Sequence, residues 1–443
     1  MTLDEIADAL RARTLRAEEL AERALAANRL GAYRSVDAER TLAMARAADA
    51  AFDAGVDTGA LQGIPVSIKD LYGVPGFPVF AGSPKRLPER FEAAGPVVQR
   101  CLKQLAVVTG KTHTVEFAFG GIGTNPHYET PRNPWDLEHP RAPGGSSSGA
   151  GVSLSEGSAF VAFGTDTAGS VRIPASWTGN VAIKTTKGRW STKGIVPLSS
   201  SLDTAGILTR TVRDAAFAFR ALDPHARPIS EAALHGLRIG RAPGLFFEDC
   251  SPGVAEAVDQ AIGALANAGA IRLSLELPEL EPTRALFNVG GPVSTELYLF
   301  LQDELPAWYE GLDPNVQARV GNAGNLPAHE YLRRLKTMAS LSASIVERLA
   351  EVDVLLAPTV ANTPPRLVDI ATPETYAPQN LLCLRNTCIA SYLGLCAVTL
   401  PCGRDAAGMP VGLQLIGPPH SEERLLGIAL AIEDCLGVDL GTP

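Results

Sequence analysis

Hydrophobic positions along the chain follow two different periods, and each period predicts a different kind of element. In the first 60 residues the spacing is helical, because Leu3, Ile6, Ala7 and Leu10 fall on one face. A second helical stretch covers residues 37–54. We therefore predict that residues 1–60 form N-terminal helices.

From residue 61 onward, short apolar runs alternate with helical patterns. The runs predicted to be strands are GIPVSI (63–68), AVVTG (106–110), AFVAFGT (159–165), NVAIK (180–184), LRIGRA (237–242), IRLSLEL (271–277), DVLLAP (353–358), CAVTLP (396–401) and PVGLQLIG (410–417). Helical patterns include residues 97–105, 147–156 and 212–222. Strands that alternate with helices predict an α/β fold with a mixed or parallel sheet.

Residues 281–351 differ from this alternation. They are helical in pattern and rich in aromatic residues, so we predict a helical insertion over the sheet rather than a separate domain. The aromatic side chains between Phe287 and Tyr331 are interpreted mainly as core. The last amphipathic helix is predicted to begin at a cap on His420 or Ser421.

Charge and hydropathy exclude several classes of protein. The 443 residues include 39 Lys and Arg against 48 Asp and Glu, a net charge of -9, which argues against a protein that mainly binds nucleic-acid phosphates. No apolar run approaches 18 residues, and the N-terminus lacks the apolar segment of a signal peptide. The sequence predicts a soluble, cytoplasmic protein with no membrane partner.

The cysteines and histidines give no metal-binding pattern. Seven cysteines without a C-x-x-C pair predict neither a disulfide framework nor a zinc ribbon, and they are interpreted as buried thiols of a reducing compartment. The seven histidines show no H-x-x-x-H spacing. We expect no metal site.

Two segments rich in glycine and serine are the strongest chemical signal in the chain. They are PGGSSSG (143–149) and GTDTAGSVR (164–172), and both precede a predicted helix. Backbone N–H groups in such segments can approach a ligand closely and stabilise negative charge. Upstream, Lys69 ends a predicted buried strand, where it is either paired, with Asp70 as one candidate, or neutral and available as a base.

These motifs together resemble the amidase signature family of serine hydrolases. The matching segments are GIPVSIKD, APGGSSSGAG and GTDTAGSVRIPAS, supported by EFAFGGIGTNPHYETPRNPWD (116–136) and MPVGLQLIG (409–417). The resemblance implies one large α/β domain over residues 1–443, with a central mixed, mostly parallel twisted sheet flanked by helices. Within it, residues 61–222 would form the catalytic core and 281–351 the substrate-side insertion.

The resemblance also implies a Ser–cisSer–Lys triad that hydrolyses a carboxamide through an acyl-enzyme. Ser170 would be the nucleophile, Ser146 would follow a cis peptide bond and relay the proton, and Lys69 would be the general base. A buried lysine suits this role, because burial lowers its pKa from about 10.4 towards neutrality. No cofactor is implied.

The family's oxyanion hole corresponds here to the backbone N–H groups of Thr167, Ala168, Gly169 and Ser170, and Gly120 is a further candidate contact beside the acyl pocket. The family often has Gly-Gly-Ser where this chain has Ala-Gly-Ser. Alanine keeps its N–H, so the hole is expected to persist with less room beside it. The flanking pair Asp166 and Arg172 is interpreted as structural.

Two alternatives remain open. Ser147 in G-x-S-x-G with His420 fits an α/β-hydrolase esterase, although no strand is predicted before the serine. Relatives of the family also serve as the glutaminase (A) subunit of a tRNA-dependent amidotransferase.

The sequence leaves the substrate open among amides, ureas and carbamates. We expect a small-molecule amide substrate, no nucleic-acid partner and, from the habit of the family, a homodimer.

Overall fold

The computed structural model describes residues 1–441, and one sheet organises the whole chain. Its eleven strands are β1 (Tyr33–Ser35), β2 (Pro65–Lys69), β3 (Val107–Thr112), β4 (Val161–Asp166), β5 (Val181–Lys184), β6 (Thr204–Thr209), β7 (Arg238–Arg241), β8 (Ile271–Ser274), β9 (Val354–Pro358), β10 (Cys396–Arg404) and β11 (Pro410–Gly417). Their order across the sheet is β1-β3-β2-β4-β6-β5-β10-β11-β9-β7-β8. The predicted α/β class and single domain are confirmed.

The predicted predominance of parallel strands is wrong. Parallel pairing joins β2 to β3 and β4, and β7 to β8 and β9, whereas the other six neighbouring pairs are antiparallel. The cause is visible in the connections. Only a short turn joins β10 to β11, and a parallel pair needs a longer crossover.

Fifteen α-helices lie among the described residues. They are α1 (Leu3–Arg11), α2 (Ala17–Ala27), α3 (Ala38–Asp53), α4 (Pro96–Lys103), α5 (Ser148–Ser155), α6 (Arg172–Thr178), α7 (Val212–Leu222), α8 (Val254–Asn267), α9 (Leu280–Asn288), α10 (Val293–Glu304), α11 (Pro306–Tyr309), α12 (Pro314–Val320), α13 (Ala328–Leu349), α14 (Pro373–Tyr392) and α15 (Glu422–Leu436). None of them is long and apolar enough to cross a membrane.

Local sequence explains where several of these elements begin. Thr2 and Glu5 form a capping box at the start of α1, and the Asp37 carboxylate accepts the N–H of Arg40 at the start of α3. Ser421 is the N-cap residue of α15, as one of the two predictions had it, although its hydroxyl makes no capping hydrogen bond. The N-terminal region is not wholly helical, because β1 interrupts it.

Two large apolar clusters cover the two faces of the sheet. One joins α1, α4, α7, α8 and α15 to the strands. The other joins the strands to α9–α13, which we call the helical layer (residues 280–349), and to α14. The predicted helices of residues 281–351 are therefore confirmed, and the helical layer lies over the sheet beside α14.

Candidate active site

The side chain of Lys69 is buried at the end of β2 and faces two hydroxyl groups. Its Nζ donates to Ser146 Oγ at 2.8 Å and to Thr165 Oγ1, on the neighbouring strand β4, at 2.7 Å. Burial lowers the pKa of Lys69 to about 7, against the opposing charges of Asp203 and Asp166. A substantial fraction of this amine is therefore neutral near pH 7 and able to accept a proton.

Lys69 does not pair with Asp70, although the sequence makes Asp70 a candidate partner. Asp70 accepts a hydrogen bond from Lys111 Nζ at 3.2 Å, and both side chains are buried. The physical reason is the alternation of a strand, since successive side chains point to opposite faces of the sheet.

Ser146 lies in a segment that is held closely against its neighbours. The peptide bond between Gly145 and Ser146 is cis. The N–H of Gly145 donates to the carbonyl of Gly121 at 2.7 Å, and the carbonyl of Ser146 accepts the N–H of Val115 at 3.1 Å. A Cβ on Gly145 would lie 2.7 Å from backbone atoms of Gly123, so only glycine allows this approach.

Ser170 lies at the turn before α6 and lines a cavity of about 560 Å³. Its carbonyl accepts the N–H of Ser147 at 3.2 Å, so the backbones of the two serine segments are directly bonded. Within residues 1–441 the Ser170 hydroxyl makes no hydrogen bond, which leaves it available to a molecule in the cavity.

The backbone N–H groups before Ser170 are not equivalent. The N–H of Gly169 donates to Asp166 Oδ1 at 2.8 Å, so within the protein this group already has an acceptor, and its place in an oxyanion hole stays a prediction. No described residue accepts from the N–H groups of Thr167, Ala168 or Ser170. These three remain candidates, and Thr167 and Ala168 line the cavity.

Gly169 instead has a conformational role. Its φ is +141°, and a Cβ there would lie 2.1 Å from Thr387 Oγ1, on α14. The same hydroxyl donates to the carbonyl of Ala168 at 2.7 Å. Helix α14 therefore packs directly on the turn that presents Ser170.

Asp166 and Arg172 form a fully buried ion pair, as predicted for a structural role. Arg172 Nε and Nη2 each lie 2.9 Å from a carboxylate oxygen of Asp166, and Nη2 also donates to Ser391 Oγ at 2.7 Å. Burial opposes ionisation of Asp166, but the charge and hydrogen bonds of Arg172 outweigh it, and the pKa of Asp166 lies below its ordinary value. The pair fixes the turn around Ser170.

The cavity next to Ser170 has mostly apolar walls that come from three parts of the chain. Gly120 lies in its wall as predicted, and Phe119 is next to it. The helical layer contributes Phe287 and Arg319, and α14 contributes an asparagine, Asn380.

The aromatic residues of the insertion have different roles, and only Phe287 faces this cavity. Others pack in pairs, such as Tyr298 with Tyr309 at 5.7 Å between ring centroids. Neither Arg319 nor Asn380 is among the site residues predicted from the sequence. Both are polar residues in helices, and the sequence does not reveal which other elements those helices contact.

The esterase alternative finds no support in the geometry. Residues 142–147 contain no strand, so the strand–turn–helix arrangement of a nucleophile elbow is absent there. The Ser147 hydroxyl donates to the carbonyl of Thr165 at 3.4 Å, and the backbone N–H of His420 donates to Thr186.

Comparisons with known proteins agree with this fold. The family model described as Amidase matches residues 17–426. The chain is 54% identical to 2-amino-5-chloromuconic acid deaminase of Comamonas testosteroni over 92% of this chain and 89% of the relative. It is 32% identical to the A subunit of the glutamyl-tRNA(Gln) amidotransferase of Cupriavidus necator over 100% of this chain and 98% of that protein.

Among solved structures, a crystal structure of an amidase superposes with a TM-score of 0.88 and 29% identity, covering 98% of this chain and 99% of that one. The fold, the family match and the relatives agree with the resemblance of the sequence motifs to the amidase signature family. The chain belongs to the amidase family and is an amidohydrolase that acts on C–N bonds.

Proposed function

We propose that the enzyme cleaves its C–N bond with Ser170 as nucleophile, Ser146 as proton relay and Lys69 as general base. The observation that carries this proposal is the buried amine of Lys69, which is within hydrogen-bond distance of two hydroxyl groups and has a pKa of about 7. A base whose pKa lies near the working pH is best suited to proton transfer. A serine hydroxyl needs such a base before it can attack.

A carboxamide substrate would react in two stages. Ser170 Oγ adds to the carbonyl carbon while its proton passes to Ser146 and the proton of Ser146 passes to Lys69. The N–H groups of Thr167, Ala168 and Ser170 are the candidate donors to the oxyanion, each worth about 3–4 kcal/mol. Lys69 returns the proton to the nitrogen, ammonia leaves, and water hydrolyses the acyl-enzyme by the same relay.

We further propose that the substrate is a small unsaturated amino acid related to 2-amino-5-chloromuconic acid. The support is the 54% identity to the deaminase of that compound over 92% of the chain. In its imine tautomer, such a substrate presents a trigonal carbon bonded to nitrogen, which a hydroxyl can attack as it attacks an amide. The hydroxyl proton passes through the relay to the imine nitrogen as the bond from Ser170 Oγ to carbon forms, and ammonia then leaves this adduct. Water adds to the same carbon, the bond to Ser170 Oγ breaks, and an oxo acid is released.

A second candidate function is that of a glutaminase component in a tRNA-dependent amidotransferase. The 32% identity to the amidotransferase relative over the whole chain favours it, although less strongly than the deaminase relationship. The two functions differ in their need for partners. A chain that releases ammonia by itself is the free enzyme that we propose, whereas a chain active only with partner proteins is not.

The test is ammonia release by the purified chain from 2-aminomuconate and from a panel of carboxamides. We expect Ser170→Ala to lower turnover by about 10⁴-fold or more. The matched control is Ser147→Ala, which removes a neighbouring hydroxyl of the same segment and should retain activity. Full turnover by Ser170→Ala would refute the nucleophile, and loss of activity in Ser147→Ala would favour the esterase arrangement.

We also propose that the enzyme acts in the cytoplasm as a homodimer. The seven cysteines are all free thiols and five of them are buried, which is compatible with a reducing compartment. Sedimentation of the purified chain tests the dimer.

A further inference from the structure

Three carbonyl groups of residues 166–170, which we call the nucleophile turn, accept hydrogen bonds from donors outside it. The three pairs are Asp166 with Thr204 Oγ1 at 2.7 Å, Ala168 with Thr387 Oγ1 at 2.7 Å, and Gly169 with the N–H of Ile173 at 2.8 Å. In a trans peptide unit the C=O and the N–H point in opposite directions, so each bond also fixes the direction of an N–H. Of the three donors, Thr387 alone lies outside the predicted catalytic core (residues 61–222).

The peptide unit between Ala168 and Gly169 is held at both ends. Its carbonyl accepts the hydroxyl of Thr387, and its N–H donates to Asp166 Oδ1 at 2.8 Å. The φ of Gly169 is +141°, and glycine has more conformational freedom than any other residue, so the backbone by itself does little to fix this unit. The two hydrogen bonds therefore determine its orientation.

The hydroxyl of Thr387 is committed to the nucleophile turn rather than to its own helix. Thr387 is wholly buried in α14. Its Oγ1 lies 2.7 Å from the carbonyl oxygen of Ala168 and 3.2 Å from that of Leu384, one turn earlier in the helix. A hydroxyl has a single proton to donate, and the shorter bond is the one to Ala168.

Helix α14 also supports the other end of the same peptide unit. Ser391 lies four residues after Thr387, on the same face of the helix. Its Oγ is 3.1 Å from Asp166 Oδ1, the atom that accepts the N–H of Gly169, and it accepts a hydrogen bond from Arg172 at 2.7 Å. One helix face therefore contacts both the carbonyl of this peptide unit and the acceptor of its N–H.

Loss of the Thr387 hydroxyl would change the cavity wall beside Ser170. The carbonyl of Ala168 would have no donor within the protein, and a carbonyl in this position regains a hydrogen bond by turning towards water. The nearest water would be in the cavity, which Ala168 and Ser170 both line. A carbonyl turned that way places partial negative charge where an oxyanion needs N–H donors.

We propose that Thr387 is a positioning residue for the reaction, which keeps the N–H groups of Ala168 and Ser170 directed at the oxyanion by holding the peptide unit between Ala168 and Gly169. The proposal rests on the proposed function in one respect, namely that attack by Ser170 creates this oxyanion. Thr387 is not part of the cavity wall, so it acts through the nucleophile turn and not on the substrate.

Thr387→Val removes the hydroxyl and tests this role with the compound that the purified chain cleaves fastest among 2-aminomuconate and the carboxamides. Bonds to an oxyanion form only in the transition state, so we expect kcat to fall by about 10- to 100-fold while KM changes by less than about threefold. Thr387→Ser restores a hydroxyl and should return kcat to within about threefold of the unsubstituted enzyme. The pH at which kcat/KM levels off should stay the same in both variants, because neither touches Lys69.

The matched control is Thr41→Val, which removes the same kind of bond elsewhere in the fold. Thr41 in α3 is also wholly buried, and its Oγ1 donates to the carbonyl of Val108, on β3, at 2.8 Å. We expect similar losses of stability in Thr41→Val and Thr387→Val, but an unchanged kcat in Thr41→Val. Thermal unfolding of each variant shows whether it folds, and Thr387→Ala replaces Thr387→Val if the valine variant does not.

An unchanged kcat in folded Thr387→Val would overturn the proposal, as would a loss confined to KM. Failure of Thr387→Ser to recover kcat would assign the effect to packing and would overturn it too. The catalytic assignment is tested separately. Full turnover by Ser170→Ala would refute the nucleophile, whereas an inactive Ser170→Ala together with a fully active Thr387→Val would refute only the positioning role.

Discussion

The predicted catalytic core (residues 61–222) and the helical layer differ in how their polar residues are held. In the core, Lys69 and Arg172 are wholly buried and bond to side chains from the same signature segments. In the helical layer, Arg319 bonds mainly to backbone carbonyls, and apolar residues such as Leu299 and Leu332 are exposed. We therefore expect the core to fix the chemistry and the helical layer to determine which molecules the cavity can hold.

This difference also separates two kinds of information in the sequence. Catalytic residues that lie within short segments of the sequence can be recognised as motifs. Neighbouring strands and turns then bring these segments together in the fold. A cavity wall assembled from α12, α14 and residues 119–121 has no such local signature. Substitutions can show whether the two regions are as different in energy as they are in structure.

Among the substitutions that compare the two regions, Lys69→Ala is expected to have the largest effect. Lys69→Ala removes the proposed base, so activity at pH 7 should fall by about 10²- to 10⁴-fold. In the unsubstituted enzyme, a base with a pKa of about 7 works only when neutral, so kcat/KM should rise with pH up to about 7 and level off above it. In Lys69→Ala this step should disappear, and the remaining activity should recover only at higher pH as hydroxide increases.

A pH profile of kcat/KM for both proteins measures this effect. Lys69→Arg is the control for charge, because arginine stays protonated and should be inactive throughout the range. An unchanged step near pH 7 in Lys69→Ala would assign the titrating group elsewhere.

Most of the core was predictable from the sequence, and the failures have physical causes. The strands that contain Lys69 and Asp166 lie within two residues of their predicted bounds, because buried strands of a parallel arrangement appear as continuous apolar runs. Strand β6 was missed, since its sequence TAGILT mixes threonine and glycine with few apolar residues.

Helix α14 was also missed. It contains Pro378, and its residues from Cys383 to Tyr392 are buried on every side, so no polar face gives the sequence a helical period. This helix carries Asn380 and contacts the turn that presents Ser170. Because α14 was not predicted, its contribution to the cavity wall was not predicted either. The engagement of Gly169 by Asp166 could not be predicted either, because it depends on the side-chain conformation of a buried carboxylate.

The two regions are also expected to differ in how much an ion pair contributes to stability. Arg172→Met leaves the Asp166 carboxylate buried without its partner, so the free energy of unfolding should fall by about 3–5 kcal/mol. In the helical layer, Arg284→Met breaks a solvent-exposed pair with Glu281 and should cost less than about 1 kcal/mol. Urea denaturation of both variants measures the difference, and equal losses would contradict the proposed contrast between the regions.

The smallest effect is expected at Glu116, which joins the two regions. Its Oε2 accepts the N–H of Asp313, the N-cap of the helix that carries Arg319, and its Oε1 lies 3.2 Å from His127 Nε2. Burial, with a smaller contribution from the charge of Asp313, raises the pKa of Glu116 to about 8, although the N–H of Asp313 opposes the shift. The folded protein therefore keeps a proton that the unfolded chain releases above about pH 4.3.

Between the ordinary pKa of a glutamate and pH 8, the folded state binds more protons than the unfolded state. The free energy of unfolding therefore falls as pH rises through this range. Glu116→Gln keeps an acceptor for the N–H of Asp313 and has no proton to lose. We expect the variant and the unsubstituted protein to be similar in stability at pH 5, with the variant more stable at pH 8.5 by about 3–4 kcal/mol. Urea denaturation at both pH values measures this, with the exposed Glu129→Gln as control. If the stability of Glu116→Gln falls with rising pH as steeply as that of the unsubstituted protein, Glu116 does not titrate in the folded state. The contact between Glu116 and Asp313, which connects the core to the helical layer, would then be insensitive to pH.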